Sequence, residues 1–180
     1  MTNADRYRIA DLAALTALYG EPRPSARNKE TPVLQAAQQA FIKAAPFLAL
    51  ATAGPHGLDI SPRGDAPGFV EVQDDKTLLL PDRRGNNRVD SLRNIIADPR
   101  VALLFLIPGI ARALRVKGQA RISVEPALLE RLSVAGPVPR SVLVIDVQTV
   151  FFQHSRAIRQ ARLWDAHAQG PHDAARDWVE

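Results

Sequence analysis

Between residues 47 and 152 the chain is a run of short apolar stretches, most of them joined by tight turns, and this restricts the fold more than any other feature. Residues 47–53 (FLALATA) read as a strand, Gly54-Pro55-His56-Gly57 as a turn, and 58–61 as a return to extended structure. Residues 69–73 and 77–81 follow as strands around a tight Asp74-Asp75 turn. Residues 101–107 (VALLFLI), the Pro108-Gly109 turn, 114–123 and 141–152 complete the set. Within 114–123, Leu114, Val116 and Ile122 alternate with polar neighbours, and Gly118 in mid-strand marks a bulge or a close backbone approach. A doubly wound sheet needs a helix between successive strands, and most of these junctions are too short for one. The pattern predicts a closed antiparallel barrel with helices packed outside it.

The helical segments are few. Residues 11–19 place Leu12, Leu15, Leu18 and Tyr19 at helical spacing, with Gly20 able to close the helix. Residues 21–30 are a polar, proline-bearing connector. A better-marked helix starts with Thr31 as N-cap and Pro32 at its first position, and ends before Pro46. A third runs from Arg88 through Val89, Leu92, Ile95 and Ile96 to Asp98-Pro99, and a short fourth covers 126–132. Near the C-terminus, Arg156, Arg159 and Arg162 would adjoin on one helix, so nearby acids or a bound anion should offset their repulsion.

Residues 81–92 (PDRRGNNRVDSL) concentrate the polar chemistry where a strand hands over to a helix. Gly85 permits a left-handed backbone, Asn86 or Asn87 can cap the helix, and the helix mouth favours an anion. Arg84 and Arg88 could add forked donors matched to phosphate oxygens. The stretch reads either as a phosphate cradle or as a solvated turn.

Other chemistries find less support. The absence of cysteine excludes disulfides and thiolate catalysis, and with no apolar leader or membrane-length apolar run it fits a cytoplasmic protein. His56, His154, His167 and His172 lack the i, i+4 spacing of a helical metal site. No serine sits in a nucleophile elbow, and Asp59 and Asp65 are an acid–base pair only if they are not simply turn caps. The net charge of +4, carried mostly by arginine, admits a nucleic-acid groove. Only 6% of residues are aromatic, however, and Phe47, Phe105, Phe151 and Phe152 fall in strand patterns that read as core.

Four stretches in order, FIKAAPFLALATAGPHGLDISPRGDAPGFV, LLLPDRRGNNRVDSLRNIIADPRVALLFLIPG, LRVKGQA and RAIRQARLW, resemble the pyridoxamine 5'-phosphate oxidase-like family of FMN-binding split barrels. The branch it resembles carries a Ser-Pro-Arg-Gly-Asp motif. The resemblance implies a six-stranded antiparallel Greek-key split barrel with peripheral helices, and a homodimer with FMN at the interface. In these terms residues 1–45 are helices packing on the barrel, 46–164 the FMN-binding barrel and 165–180 a tail. The resemblance also implies that Ile60, Ser61, Pro62 and Arg63, with Pro81, Asp82, Arg84, Asn86, Asn87 and Arg88, hold the ribityl phosphate and flavin edge. Arg63 and Arg88 are the implied phosphate contacts. Arg115 would reach the cofactor or the partner subunit, and Arg159 belongs to an arginine segment that closes over the flavin.

The implied activity is an FMN-dependent oxidoreductase working on a small molecule with NAD(P)H; a flavin, deazaflavin or haem carrier is the alternative, and haem would want an axial ligand such as His154. Relatives often carry Cys and Lys where this chain has Ser155 and Arg156. The residues after Trp164 lack the substrate-binding section of the true oxidase, so synthesis of pyridoxal phosphate is not expected.

Overall fold

Alternation along β1 (Phe47–Gly54) turns Leu48, Leu50 and Thr52 inward, as a period of two requires. The computed structural model describes residues 7–21, 29–83, 85, 87–133 and 138–165. It folds β1 back onto β2 (Gly57–Gly64) through Pro55-His56, with Gly57 at φ 111 where side chains are disfavoured. The remaining strands are β3 (Glu71–Val72), β4 (Thr77–Asp82), β5 (Arg100–Leu106), β6 (Arg112–Ser123) and β7 (Ser141–His154). They lie in the order β2-β1-β5-β6-β7-β4-β3, and every pairing is antiparallel. This is the helix-flanked antiparallel sheet of a split barrel. Its seven strands match the seven stretches read from the sequence and exceed by one the six that the resemblance implies, because the two-residue β3 pairs with β4.

The chain divides into two units, Met1–Glu30 and Thr31–Glu180. The first holds α1 (Leu12–Tyr19), where Asp11 Oδ1 accepts from Ala14 N at 2.8 Å and Gly20, as expected, closes the helix at φ 73. The second holds the sheet and, among the described residues, four further helices: α2 (Ala36–Ala44), α3 (Asp90–Ala97), α4 (Pro126–Arg131) and α5 (Arg156–Gln160). Among the described residues no helix is long and apolar enough to cross a membrane.

The main core gathers Leu48, Leu50, Leu103, Phe105, Leu114, Val116 and Ile145, closed by Ile42 of α2 and Ile95 of α3. A smaller cluster forms on the opposite face of β4 and β7, where Leu128 and Leu129 of α4 cover Leu79, Val142 and Val144. That second cover explains why residues 141–145 (SVLVI) are buried without alternation, as in any strand covered on both faces.

Three local expectations change. Thr31 is not an N-cap: its backbone exchanges hydrogen bonds with Val150 at 3.0 and 2.9 Å, so α2 starts only at Ala36, where Gln38 Oε1 accepts from Gln35 N at 2.8 Å. The cap of α3 is Val89, not an asparagine. The arginine helix stops before Arg162, which turns left-handed at φ 50 and pairs with Asp165 at 2.6 Å. An acid therefore does offset one of the three arginines. Ser155 caps α5, its Oγ accepting from Ile158 N at 3.1 Å.

Gly118 combines both features read from the sequence. The β6–β7 register shifts between Lys117 and Gly118, and a Cβ there would lie 2.2 Å from Asp146 O. Backbone cannot yield as a side-chain tip can, so Gly118→Ala is expected to destabilise the fold by roughly 1–3 kcal/mol in urea unfolding. Between α3 and β5, hydrogen bonds from the Arg100 side chain and then its amide hold the Asp98 carboxyl down at about 2. The pair therefore stabilises the fold above the ordinary carboxylate value, and that contribution disappears as pH falls through about 2. An Asp98→Asn variant should show a correspondingly shallower acid limb in a circular-dichroism titration.

Candidate functional site

A cleft of about 640 Å³ opens where β2, the end of β4, Arg83, Gly85, residues 87–89, the start of α3 and the start of β7 meet. The sheet brings these elements together. Antiparallel pairing of β4 with β7 sets Asp82 opposite Ser141, and α3 is tied to β1 by Asn94 Nδ2 donating to Thr52 Oγ1 at 3.0 Å. Alternation along β2 turns Asp59, Ser61 and Arg63 to its more sheltered side.

Most expected residues converge here. Ile60, Ser61, Pro62, Arg63, Asp82, Asn87 and Arg88 all line the cleft. Arg84 and Asn86 lie outside the described residues. Pro81 is buried in β4 opposite Val142 and is not part of the lining. Arg115 stands on β6 with its guanidinium 5.2 Å over the Phe151 ring, and Arg159 is exposed on α5; neither lines this cleft.

The electrostatics centre on Arg63. Its Nη1 lies 2.9 Å from Asp82 Oδ1, with the two side chains only 24% and 16% exposed. Arg63 Nε is buried and has no hydrogen-bond partner among the described residues. Arg83 repeats the situation: its Nε sits 2.7 Å from Asp65 Oδ2, but that ion pair does not satisfy the buried N–H as a hydrogen bond. These two Nε atoms are closed to the cleft, but each guanidinium has more donors than one carboxylate oxygen engages, and both residues line the cleft. Asp65 is committed to Arg83, so it does not form an acid–base pair with Asp59.

The helix mouth differs from the expected cradle. Val89 adopts φ 54, makes no side-chain cap, and is followed by Asp90 in the first turn. Arg88 pairs with the Asp90 carboxylate, and that hydrogen bond raises the guanidinium pKa further above its ordinary value. With a carboxylate already at the helix start, the favourable end of the dipole is partly used. The unsatisfied donors lie instead at Arg63 and Arg83. Arg88 remains in the cleft wall, 78% exposed.

Sequence reasoning missed Arg83, Arg140, Ser141 and Ser91; it chose Arg84 over its neighbour Arg83, although both stand in the 81–92 stretch. Arg140 and Ser141 enter only through the β4–β7 pairing, which joins residues far apart in sequence. Ser91 is buried in α3, with its Oγ 3.5 Å from Asp59 Oδ2. Its place next to Asp90 in the 81–92 stretch was the available signal. His154 sits at the end of β7 with Nε2 3.3 Å from Arg112 Nη2, and it does not line the cleft.

The family model for pyridoxamine 5'-phosphate oxidase matches residues 34–154. HupZ of Group A Streptococcus, in its H111A form, superposes with a TM-score of 0.56 at 20% identity, over 67% of this chain and 99% of that one. A Clostridium acetobutylicum protein related to general stress protein 26, of the pyridoxinephosphate oxidase family, gives 0.50 at 14% identity, over 66% and 86%. At such identities the likeness establishes the fold alone. No curated protein matches.

Two substitutions separate a structural ion pair from an exposed one. Asp82→Ala strips the sheltered Arg63 of its counter-charge and is expected to cost on the order of 1–2 kcal/mol in chemical denaturation. Arg88→Ala should stay within about 0.5 kcal/mol of the parent, because ion pairs this exposed contribute little.

Proposed function

The chain belongs to the pyridoxamine 5'-phosphate oxidase family, and we propose that its cleft holds FMN and that it is a cytoplasmic FMN-dependent oxidoreductase acting on a small molecule with NAD(P)H. The observation that carries this reading is the pair of half-sheltered guanidinium groups, Arg63 and Arg83, that line one cleft, each engaged by a single carboxylate. A phosphate monoester supplies acceptors for the forked donors that Asp82 and Asp65 leave unused. The residues therefore fit the phosphate end of the cofactor.

Bound there, FMN would supply the electron-carrying ring, leaving binding, orientation and electrostatics to the protein. Arg63 and Arg83 hold the phosphate. Asp82 orients the Arg63 guanidinium and keeps it charged. Ile60 and Pro62 give the cleft an apolar side beside the polar wall of Asp59 and Ser91. No general acid or base is assigned, because none is required for the cofactor to accept electrons.

A homodimer with the cofactor at its interface forms part of the same reading. Its support is the outward face of β2, an edge strand on which Leu58 and Ile60 are 90% and 69% exposed. Ile60 also walls the cleft, so a second copy covering that face would reach the cleft as well. Arg115 and Arg159, which lie outside the cleft of their own chain, keep a role in it only by reaching that of a second copy.

The purified protein is expected to be yellow, with a flavin absorption spectrum and FMN identified by the mass of the released cofactor. Colourless protein that fails to take up added FMN refutes the proposal. Arg63→Lys keeps a charge for Asp82 but loses the fork, and is expected to weaken FMN binding by about 2 kcal/mol in a fluorescence titration. Anaerobic reduction of the loaded protein by NADPH or NADH tests the electron donor.

A further inference from the structure

Arg140 reaches the cleft from the start of β7, the strand most distant in sequence from the rest of the lining. Its backbone N–H donates to Asp82 O at 3.2 Å, which seats it beside the end of β4. Its Nη1 then donates to Asn87 Oδ1 at 2.9 Å, spanning to the connection that leads into α3. That connection has unusual backbone geometry: Asn87 and Val89 are left-handed at φ 60 and φ 54. Asparagine tolerates this region, but a β-branched residue does so only when its surroundings hold it there. Asn87, Val89 and Arg140 all face the same cleft.

We infer that Arg140 is a positioning residue. By gripping the Asn87 side chain it holds the turn that carries left-handed Asn87 and Val89 in place, and so sets the wall against which a bound molecule rests. Its action runs through Asn87, whereas a phosphate contact would run through its own charge. The inference rests on the FMN reading of the cleft and adds a residue to it.

The test measures dissociation constants for FMN and for riboflavin with the full chain, its Arg140→Ala and Asn87→Ala variants, and the double variant. Each single change is expected to weaken FMN binding about threefold, the size of one exposed hydrogen bond. Because both remove one restraint, the double variant should bind no more weakly than either single one. Riboflavin, which lacks the phosphate, should be weakened by a similar factor, since the wall serves the whole ligand. Arg140→Lys, which keeps a donor, should recover part of the loss, and the unfolding midpoint should stay near the parent's, so that lost affinity is not lost folding.

Additive losses, or a loss confined to FMN and to Arg140→Ala, would overturn positioning in favour of a direct charge contact. Unchanged affinity in both single variants would overturn any role. The parent titration separates the two layers. A parent that binds no FMN removes the cofactor reading and this inference with it, whereas a parent that binds, with indifferent variants, removes the inference alone.

Discussion

Six rungs between β4 and β7, from Thr77 opposite Asp146 to Asp82 opposite Ser141, decide where a ligand can be held. They carry one end of a buried strand to the start of another that begins far along the chain. The leucines of β4 supply the reason for this register, since Leu78 and Leu80 join the main core while Leu79 faces the α4 cluster. A shift by one residue would exchange those faces and expose apolar surface on both sides. The site residues at the strand ends have no such preference of their own. They go where the core sends them.

What the rungs assemble is a cleft of nearly balanced charge rather than a basic patch. Arg63, Arg83, Arg88 and Arg140 share it with Asp59, Asp82 and Asp90. The carboxylates are not spread evenly: Asp82 engages Arg63 and Asp90 engages Arg88. A guanidinium has more donors than one carboxylate oxygen can use, so pairing leaves directional N–H groups over even as it neutralises charge. On the proposed reading, a phosphate would be selected by the donors these pairs leave over rather than by net potential.

Much of the fold was legible because alternation and turn chemistry are local signals. The 47–64 hairpin, the Gly118 irregularity and the α4 segment with Pro126 at its start all follow from residues adjacent in sequence. Thr31 shows where such signals fail. Its hydroxyl and the following proline have every local mark of a helix start, yet its backbone is taken by Val150. The two asparagines before α3 mislead in the same way, since Val89 occupies the cap position they seemed suited to. At the site, motif residues within one stretch could be grouped by reading along the chain. The Arg63–Asp82 pair and the Arg140–Asn87 bond join residues 19 and 53 positions apart, and no pattern of spacing announces either.

β2 carries two unlike surfaces on one short edge strand. Leu58, Ile60 and Pro62 face outward, while Asp59, Ser61 and Arg63 turn to the sheltered side. A slip of β2 by one residue against β1 would trade the two sets, and both surfaces would be lost in one step. Point substitutions are less clean, because Ile60 and Pro62 wall the cleft as well as facing outward. Leu58, exposed and outside the cleft lining, is the one of the three at which the outer face can change without altering that wall.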